Sequence, residues 1–586
     1  MSKASWFQTV KWGIPAGVAA VLAWLMSFLR NPFDADFISN PDAIVRLERI
    51  RQLMDGHGWF QPALMRVSTD QGTVLHWSRP LDVLASIGAW PLSFFVDMQD
   101  AVLVSAMGLS LIIHLLTVAS VFWVLFRALK APAWAAGLGA ISFLTLTDMM
   151  AIFAAASWPD HHGLMTLLFV VSLGLIARMA IEHVGGLTFG IVQGLAVWVS
   201  PESLVPLAGL FAGVVLVWLK DGEAQVLKQA YWSAIGFVGV IFLALIAEYS
   251  VDWPGFALDR LSAFSLLIAC VVFAFWAGLI FLPERLLSSV QKRATFVAFF
   301  AALGVGLVVG LVPDSLSGPM ANANVWFVKS WGGMFGDSFR LLVWDGWVLI
   351  GLAFMVLLVQ RSFVILALLT PILVLTLVLS TLDSTRWIIY GETVAILILV
   401  LGFAQVWPRL QGLGDSLGGV FARAGSLTGF ILFPLVLSFM SASSQTQSGP
   451  VSTNSAQSVA RYCTVKSLLP ILKSHTKTRV LAHPNVTPAI LYYSKHNVVS
   501  VPIHPNAEAV HDSVRMLMAT DDGEARRLMN KYGVGLVVMC PTGHEAKAYG
   551  TEPQGLYARA LRGDGPKWLK PIETRSSVFR VFAVQN

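Results

Sequence analysis

The chain has 586 residues, of which 56% are hydrophobic and 13% charged, with a formal net charge of +6 and a mean hydropathy of +0.69. A composition this apolar excludes a soluble enzyme and indicates a polytopic membrane protein, because the hydrophobic runs exceed what a soluble core helix needs. The positive excess requires no nucleic-acid partner, since lysines and arginines that anchor cytoplasmic loops account for many of the basic residues.

A spanning helix takes about 20 mostly apolar residues. On that ruler about thirteen spans are expected, near 11–30, 99–127, 132–148, 162–182, 186–200, 203–219, 229–248, 260–282, 294–312, 340–359, 362–381, 387–407 and 425–440. The N-terminus is placed inside, with Lys3 and Lys11. The loops carrying Arg127 and Lys130, Arg178, Lys220 and Lys228, Arg285, Lys292 and Arg293, Arg361, and Arg409 and Arg423 then all face the cytoplasm, as the positive-inside rule requires. The polar loop 31–98, the stretches near 148–161, 249–259, 313–339 and 382–386, and the tail from about 441 lie outside. The first span has no small-residue cleavage signature after Leu29 and runs into Arg30-Asn31-Pro32, which reads as an uncleaved signal anchor.

The first outer loop holds NPDAIVRLERIRQLMDGHGWF and then LHWSRPLD. Asn40 is expected to cap a helix with Pro41 in its first turn, and Gly56 to end it. Asp42, Arg46 and Arg49, spaced by four and three, share one face; Ile44, Leu47, Arg51 and Met54 mark another. Laid flat on the membrane, such a helix presents a carboxylate and two guanidinium groups together. In its simplest reading Asp42 complements the helix dipole and pairs with Arg46. In the HWSR segment, His76, Trp77 and Arg79 are further candidates, with Trp77 either a platform for a sugar ring or an interfacial anchor.

Trp158-Pro159-Asp160-His161-His162 opens the fourth span at its outer end, where a carboxylate and two imidazoles can bind a cation or a phosphate. Adjacent histidines project differently from a helix, so at most one is expected to share a site with Asp160. Glu202 in WVSPESL and Arg386 in DSTRWIIYGE fall on the same outer side. The fork of Arg386 suits a phosphate headgroup, and snorkelling is its bland alternative.

After the linker SASSQTQSGPVSTNSAQS the pattern changes. Residues 1–440 are read as the membrane domain, 441–460 as linker and 461–586 as a small α/β domain with a largely parallel sheet, built on TRVLA, NVVSVPI, VGLVVMC and VFRVFAV. Cys463 precedes one strand and Cys540 closes another at the same sheet edge, so a disulfide is expected between them; Cys270, in mid-span, is expected to pack. His483-Pro484-Asn485 and His504-Pro505-Asn506 repeat one tripeptide, read as asparagine caps of the following helices.

These features together resemble the GT-C class of polyprenyl-phosphate-sugar-dependent glycosyltransferases, organised like the catalytic subunit of oligosaccharyltransferase. The closer resemblance is to a bacterial branch carrying DAIVRLERIRQLMDGHGWF, LHWSRPLD, WPDHH, LSGPMANANVWF, VLAHPNVTPAILYYSKHNVVSVPIHPN and GPKWLKPI, and it covers nearly the whole chain. It implies an α-helical polytopic membrane fold of GT-C type with a soluble α/β domain, in a bacterial inner membrane with the tail periplasmic. Asp42 matches the first-loop carboxylate that serves as base or acceptor organiser, and Asp160 the second-loop acid of the metal or donor-phosphate site. Arg386 matches the arginine facing the donor's phosphate. The implied partners are a polyprenyl-phosphate-linked donor, a glycan, lipid or protein acceptor, and membrane lipids. A divalent metal, Mg²⁺ or Mn²⁺, would sit on Asp160, His161, His162 and Asp42, with Arg46, Arg49, His76, Trp77, Arg79, Glu202 and Arg386 lining the donor side.

Two departures stand out. VWFVKSWGGM has no acid before Asp337 where related sequences supply a glutamate, and the Trp-Trp-Asp motif is absent from the tail, which argues against Asn-sequon glycosylation. Two other readings compete. A transporter or flippase would gather charge at mid-depth in matched halves, whereas here it gathers at the outer face. A non-catalytic assembly subunit would explain the missing glutamate.

Overall fold

A computed structural model describes residues 40–60, 63–144, 159–250, 252–316, 344–359, 362–382, 387–414, 416–445, 463–542, 548–574 and 578–585, with Val18, Ile38 and Glu545 besides. In the first loop come α1 (Pro41–Met54), the short strands β1 (Ala63–Leu64) and β2 (Thr73–Val74), and α2 (Pro80–Leu92). The bundle follows with α3 (Met98–Trp123), α4 (Ala133–Leu144), α5 (His161–Glu182), α6 (Gly186–Val199), α7 (Leu204–Asp221), α8 (Ala224–Tyr249), α9 (Ala263–Ile280) and α10 (Val290–Leu311). It continues with α11 (Trp344–Val359), α12 (Phe363–Leu382), α13 (Ile388–Gln411) and α14 (Leu417–Gln445).

Among the described residues eight helices are long and apolar enough to cross a membrane: α3 with its π-helical extension to Ala128, α5, α7 with the turn from Pro201, α8, α9, α10, α12 and α13. Three shorter apolar helices, α4, α6 and Val348–Leu357 within α11, join them. The fourteen residues of α6 rise about 21 Å, short of the ~30 Å hydrocarbon core, so this segment is not by itself a full span. The span expected near 11–30 lies outside the described residues except for Val18, and the one near 425–440 falls within α14.

Small residues let helices close up. Along α6, Gly186, Gly190 and Gly194 each recur after four residues and face the backbone or side chains of α8, where any Cβ would collide with Gln229, Ser233 or Val240. At one end of the bundle Glu182 accepts from Arg127 and Arg178, both at 2.8 Å, and from Lys130. Asp160 caps the opposite end of α5. Cys270 is exposed on α9 rather than packed, because its side of that helix faces outward from the bundle.

The tail contains α15 (Val465–Ser474), β3 (Arg479–Leu481), α16 (Thr487–Tyr493), β4 (Asn497–Val498), α17 (Ala507–Met518), α18 (Asp522–Tyr532), β5 (Val534–Met539), α19 (Leu556–Arg562), β6 (Leu569–Ile572) and β7 (Arg580–Val584). The strand order is β4-β3-β5-β7-β6, with β3 parallel to β4 and β5 but β7 antiparallel to both β5 and β6. The sheet is therefore mixed rather than largely parallel. The sequence reading overlooked β6, a strand of alternating lysine, proline and apolar residues, and a short return from β6 to β7 makes that pair antiparallel. Cys463 and Cys540 are joined in a disulfide, their Cα atoms 5.9 Å apart. Neither asparagine of the repeated tripeptide caps with its side chain. Asn506 instead accepts from Val501 N and donates to Thr73 Oγ1 of the first loop, at 2.8 and 2.9 Å.

The first loop and the tail are built into each other. Val67 forms a parallel bridge to Val498 on the open edge of β4, with Ser68 N donating to Val498 O and Val498 N to Arg66 O. Val45, Leu64, Val67, Leu75 and Trp77 share one apolar core with Leu468, Val480, Ile490 and Val538 of the tail. Arg66 ties the two together: it pairs with the wholly buried Glu48 at 2.8 Å and donates to the carbonyls of Ser494 and His496 at 2.9 and 3.0 Å. Glu48 also keeps Arg51, whose Nε and Nη2 donate to its two oxygens at 2.9 and 2.8 Å, so losing Arg66 leaves the carboxylate partly paired and takes a donor from the tail carbonyls. Arg66→Ala is therefore expected to lower stability by about 2 kcal/mol, read as a lower melting temperature of the lipid-reconstituted protein.

Glu545 makes a pH-dependent contribution. It lies buried with its Oε2 accepting from Cys540 N at 2.8 Å, and burial pushes its carboxyl up to about 8. The fold holds this proton while the unfolded chain loses it above about 4.5, so stability falls as pH rises between those values. Glu545→Gln is expected to be more stable than the parent at pH 8, by an amount on the order of 3 kcal/mol, and equal to it at pH 4. Thermal unfolding at the two pH values measures this.

Candidate functional site

Helix α1 forms as its residues suggest. Asn40 accepts from Asp42 N at 3.0 Å, Pro41 sits in the first turn, and Gly56 with φ +90 follows the end. It does not lie on a membrane surface. Ala43, Ile44, Val45, Leu47 and Ile50 occupy more than one face, and the helix is buried between α16 of the tail and α2 and α3 of the membrane domain. Its charged groups must consequently find partners inside the protein.

They converge on Asp82, which is fully buried at the start of α2. Arg49 Nε lies 3.0 Å from Asp82 Oδ2, Arg46 Nη1 3.4 Å from Oδ1, and Arg79 Nη1 3.4 Å from Oδ2. Arg49 also donates to Trp77 O, and Arg79 to Trp59 O at 2.9 Å. Glu248 at the end of α8 accepts from Arg79 N at 2.6 Å and from Trp198 Nε1 at 2.7 Å. Arg49 and Arg79, expected on the donor side, are thus held by this network.

Two expectations change. Asp42 is not the ion-pair partner of Arg46: that guanidinium turns to Asp82, where the charge is more deeply enclosed, and to Asp160, with Nε 3.8 Å from Oδ1. Trp77, expected as a sugar platform or an interfacial anchor, is buried. The residue is 8% exposed and the Arg46 guanidinium lies over its ring, 4.5 Å from the centroid.

At the mouth of α5, Asp160 accepts from His161 N at 2.6 Å as the N-cap. Both imidazoles reach its carboxylate, His161 Nδ1 at 2.5 Å from Oδ1 and His162 Nδ1 at 3.0 Å from Oδ2, with ring centroids 4.3 Å apart. The expectation that only one could do so fails because a capping carboxylate sits over the helix end, within reach of neighbours that diverge further along the helix. His161 Nδ1 is also 3.2 Å from Arg46 Nη2. Burial opposes the charge on Asp160, but the two histidines hold its carboxyl well below the usual range.

Asp42 stands beside this group. Its Oδ1 is buried without a hydrogen-bond partner among the described residues, and burial, with the charge of Asp160, pushes its carboxyl up to about 7 against the pull of His162 and Arg46. Glu202, on the turn Pro201–Ser203, is near enough to add to that repulsion. His76 contacts the ring of His504 from the tail at 4.0 Å, and His504 Nε2 lies 2.8 Å from Asp259 Oδ2. Arg386 lies outside the described residues. The structure thus gathers Asp42, Arg46, Arg49, Asp160, His161, His162, Trp77 and Arg79, with Glu202 and His76 at the margins.

Asp82, Glu248 and Asp259 were not singled out from the sequence. The spacing of Arg79 and Asp82 by three was a legible signal for the first; the partners of Glu248 lie far away in the chain, and Asp259 pairs with the adjacent Arg260 but reaches the site through the distant His504.

The residues fit a divalent cation. One ligand atom from each of Asp160, His161 and His162 lies within 4.8 Å of the others, and the orphaned buried Asp42 oxygen adds a further carboxylate beside them. Two imidazole nitrogens in the set suit Mn²⁺ or Zn²⁺ better than Mg²⁺, which takes oxygen ligands.

No family model and no curated protein matches the sequence. Solved structures do. Archaeal oligosaccharyltransferase AglB from Archaeoglobus fulgidus, in complex with an inhibitory peptide and a dolichol-phosphate, superposes with a TM-score of 0.66 at 15% identity, covering 100% of this chain and 75% of that one. The Archaeoglobus fulgidus oligosaccharyltransferase in complex with Zn and sulfate gives 0.62 at 16% identity over 98% and 73%. The form tethered by a disulfide to an acceptor peptide containing the NVT sequon gives 0.60 at 17% over 99% and 75%. The chain is a multi-pass membrane protein with an oligosaccharyltransferase-like GT-C fold.

Proposed function

We propose that this protein is a membrane glycosyltransferase that moves a sugar or glycan from a polyprenyl-phosphate-linked donor to a glycan, lipid or protein acceptor on the outer face of a bacterial inner membrane. The observation that carries the reading is the pairing of a buried, partnerless Asp42 oxygen with the Asp160, His161 and His162 group at one end of the bundle. The archaeal structures with dolichol-phosphate, with Zn and sulfate, and with acceptor peptide support a lipid-linked donor and a cation for a protein of this fold. The distribution of lysine and arginine supports a cytoplasmic N-terminus and a periplasmic tail.

Asp42 accepts the proton of the acceptor hydroxyl as its oxygen attacks the anomeric carbon. The bond from that carbon to the phosphate oxygen breaks on the opposite face, the phosphate leaves with the electron pair, and the configuration inverts. The Asp42 oxygen that has no hydrogen-bond partner among the described residues suits this role, because it can take that proton. A divalent cation on Asp160, His161 and His162, with Asp42 alongside, would supply positive charge against the departing phosphate. Arg46 adds fixed positive charge next to Asp160, and Arg386 is assigned to the donor phosphate by the family resemblance.

Asp42→Asn and Asp160→Ala in a correctly inserted, stable protein are each expected to cut transfer about 100-fold or more. Transfer is measured as the rate of acceptor glycosylation, with the rate of polyprenyl phosphate release as its check. Unchanged glycan output in both variants sinks the enzymatic reading. Donor moved across the bilayer without cleavage would identify a flippase instead.

A further inference from the structure

We propose that Asp82 is the positioning residue of this site: its charge holds Arg46 between two carboxylates and thereby lets Asp160, His161 and His162 take a divalent cation. The inference rests on the cation-binding part of the reading above.

The argument is one of charge and geometry. Arg46, Arg49 and Arg79 are all buried; Asp82 pairs with all three guanidinium groups, Asp160 meets Arg46, and Glu248 accepts from the backbone N of Arg79. Asp82 touches all three guanidinium groups and neither histidine contacts it, so it acts on the cluster only through them. Arg46 is the connecting group. Its contacts to Asp82 and Asp160, at 3.4 and 3.8 Å, are both long for an ion pair, and Nη2 stands 3.2 Å from His161 Nδ1. The guanidinium lies over Trp77, its carbon 4.5 Å from the ring centroid, and between the two carboxylates. Neutralising Asp82 takes away the carboxylate that the three guanidinium groups share and with it the pull that keeps Arg46 from closing on Asp160. The guanidinium then occupies Asp160 and opposes any metal ion there.

The test uses the full chain in lipid nanodiscs, with Mn²⁺ binding read from the electron paramagnetic resonance signal of free Mn²⁺. Asp82→Asn is expected to weaken Mn²⁺ binding at least tenfold. Combining it with Arg46→Gln restores binding to within about threefold of the parent, because Asp82 is dispensable once Arg46 is gone. A merely structural role predicts no such recovery. Parent-like affinity in the single variant, no recovery in the double, or no Mn²⁺ binding by the parent overturns the proposal. Where the single variant does not fold, the double is compared with Arg46→Gln alone: equal affinity supports the role, and a tenfold weaker double overturns it. Glycosyl transfer is not needed for these readouts, so its absence alongside the expected Mn²⁺ results would refute the enzymatic reading and leave the positioning role standing.

Discussion

The structure depends on keeping charge out of water on one short helix. α1 carries Asp42, Arg46, Glu48, Arg49 and Arg51 in fourteen residues, yet most of it is buried. A charge moved into a protein interior is tolerable only with partners that return what water supplied. Those partners come from every direction: Asp82 from α2, Asp160 from the mouth of α5, and Arg66 with the carbonyls it reaches in the tail. The membrane bundle, the first loop and the tail domain therefore share one electrostatic centre, and the position of each is set partly by the charges of the others.

That arrangement explains why the carboxylates behave differently. Asp82 is surrounded by guanidinium groups and Asp160 by imidazoles, whereas Asp42 has an oxygen with no donor among the described residues. Identical side chains are thus given three different electrostatic surroundings by what the neighbouring elements place beside them.

Much of this was legible from residues 40–56 alone. The Asn40 cap, Pro41 and Gly56 predicted α1 because capping is a local matter. The place of Asp160 at the start of α5 followed equally from apolar runs and the position of a proline. Burial was not legible: the pattern of α1 reads as amphipathic, and only the docking of α16 on its other side encloses it. Side-chain pairing failed for the same reason. Arg46 has Asp42 four residues away and still turns to Asp82 and Asp160, because enclosure strengthens the more distant partners. In the tail, the parallel half of the sheet was readable from strand and helix alternation, while β6 was hidden by a proline and a lysine that suit an edge strand.

The bridge between Val67 and Val498 has a consequence for biogenesis. Ribosomes make the first loop long before the tail, and domains fold as their residues emerge. Through most of synthesis the segment around Arg66 and Val67 thus waits outside the membrane as an unpaired strand, with Glu48 and the apolar side of α1 uncovered. The tail then folds against a surface that is already in place, and its edge strand is covered as it forms. A chain interrupted before residue 498 would retain every group that contacts Asp82 yet lack the tail half of α1's enclosure, so completion of the site is tied to completion of the tail.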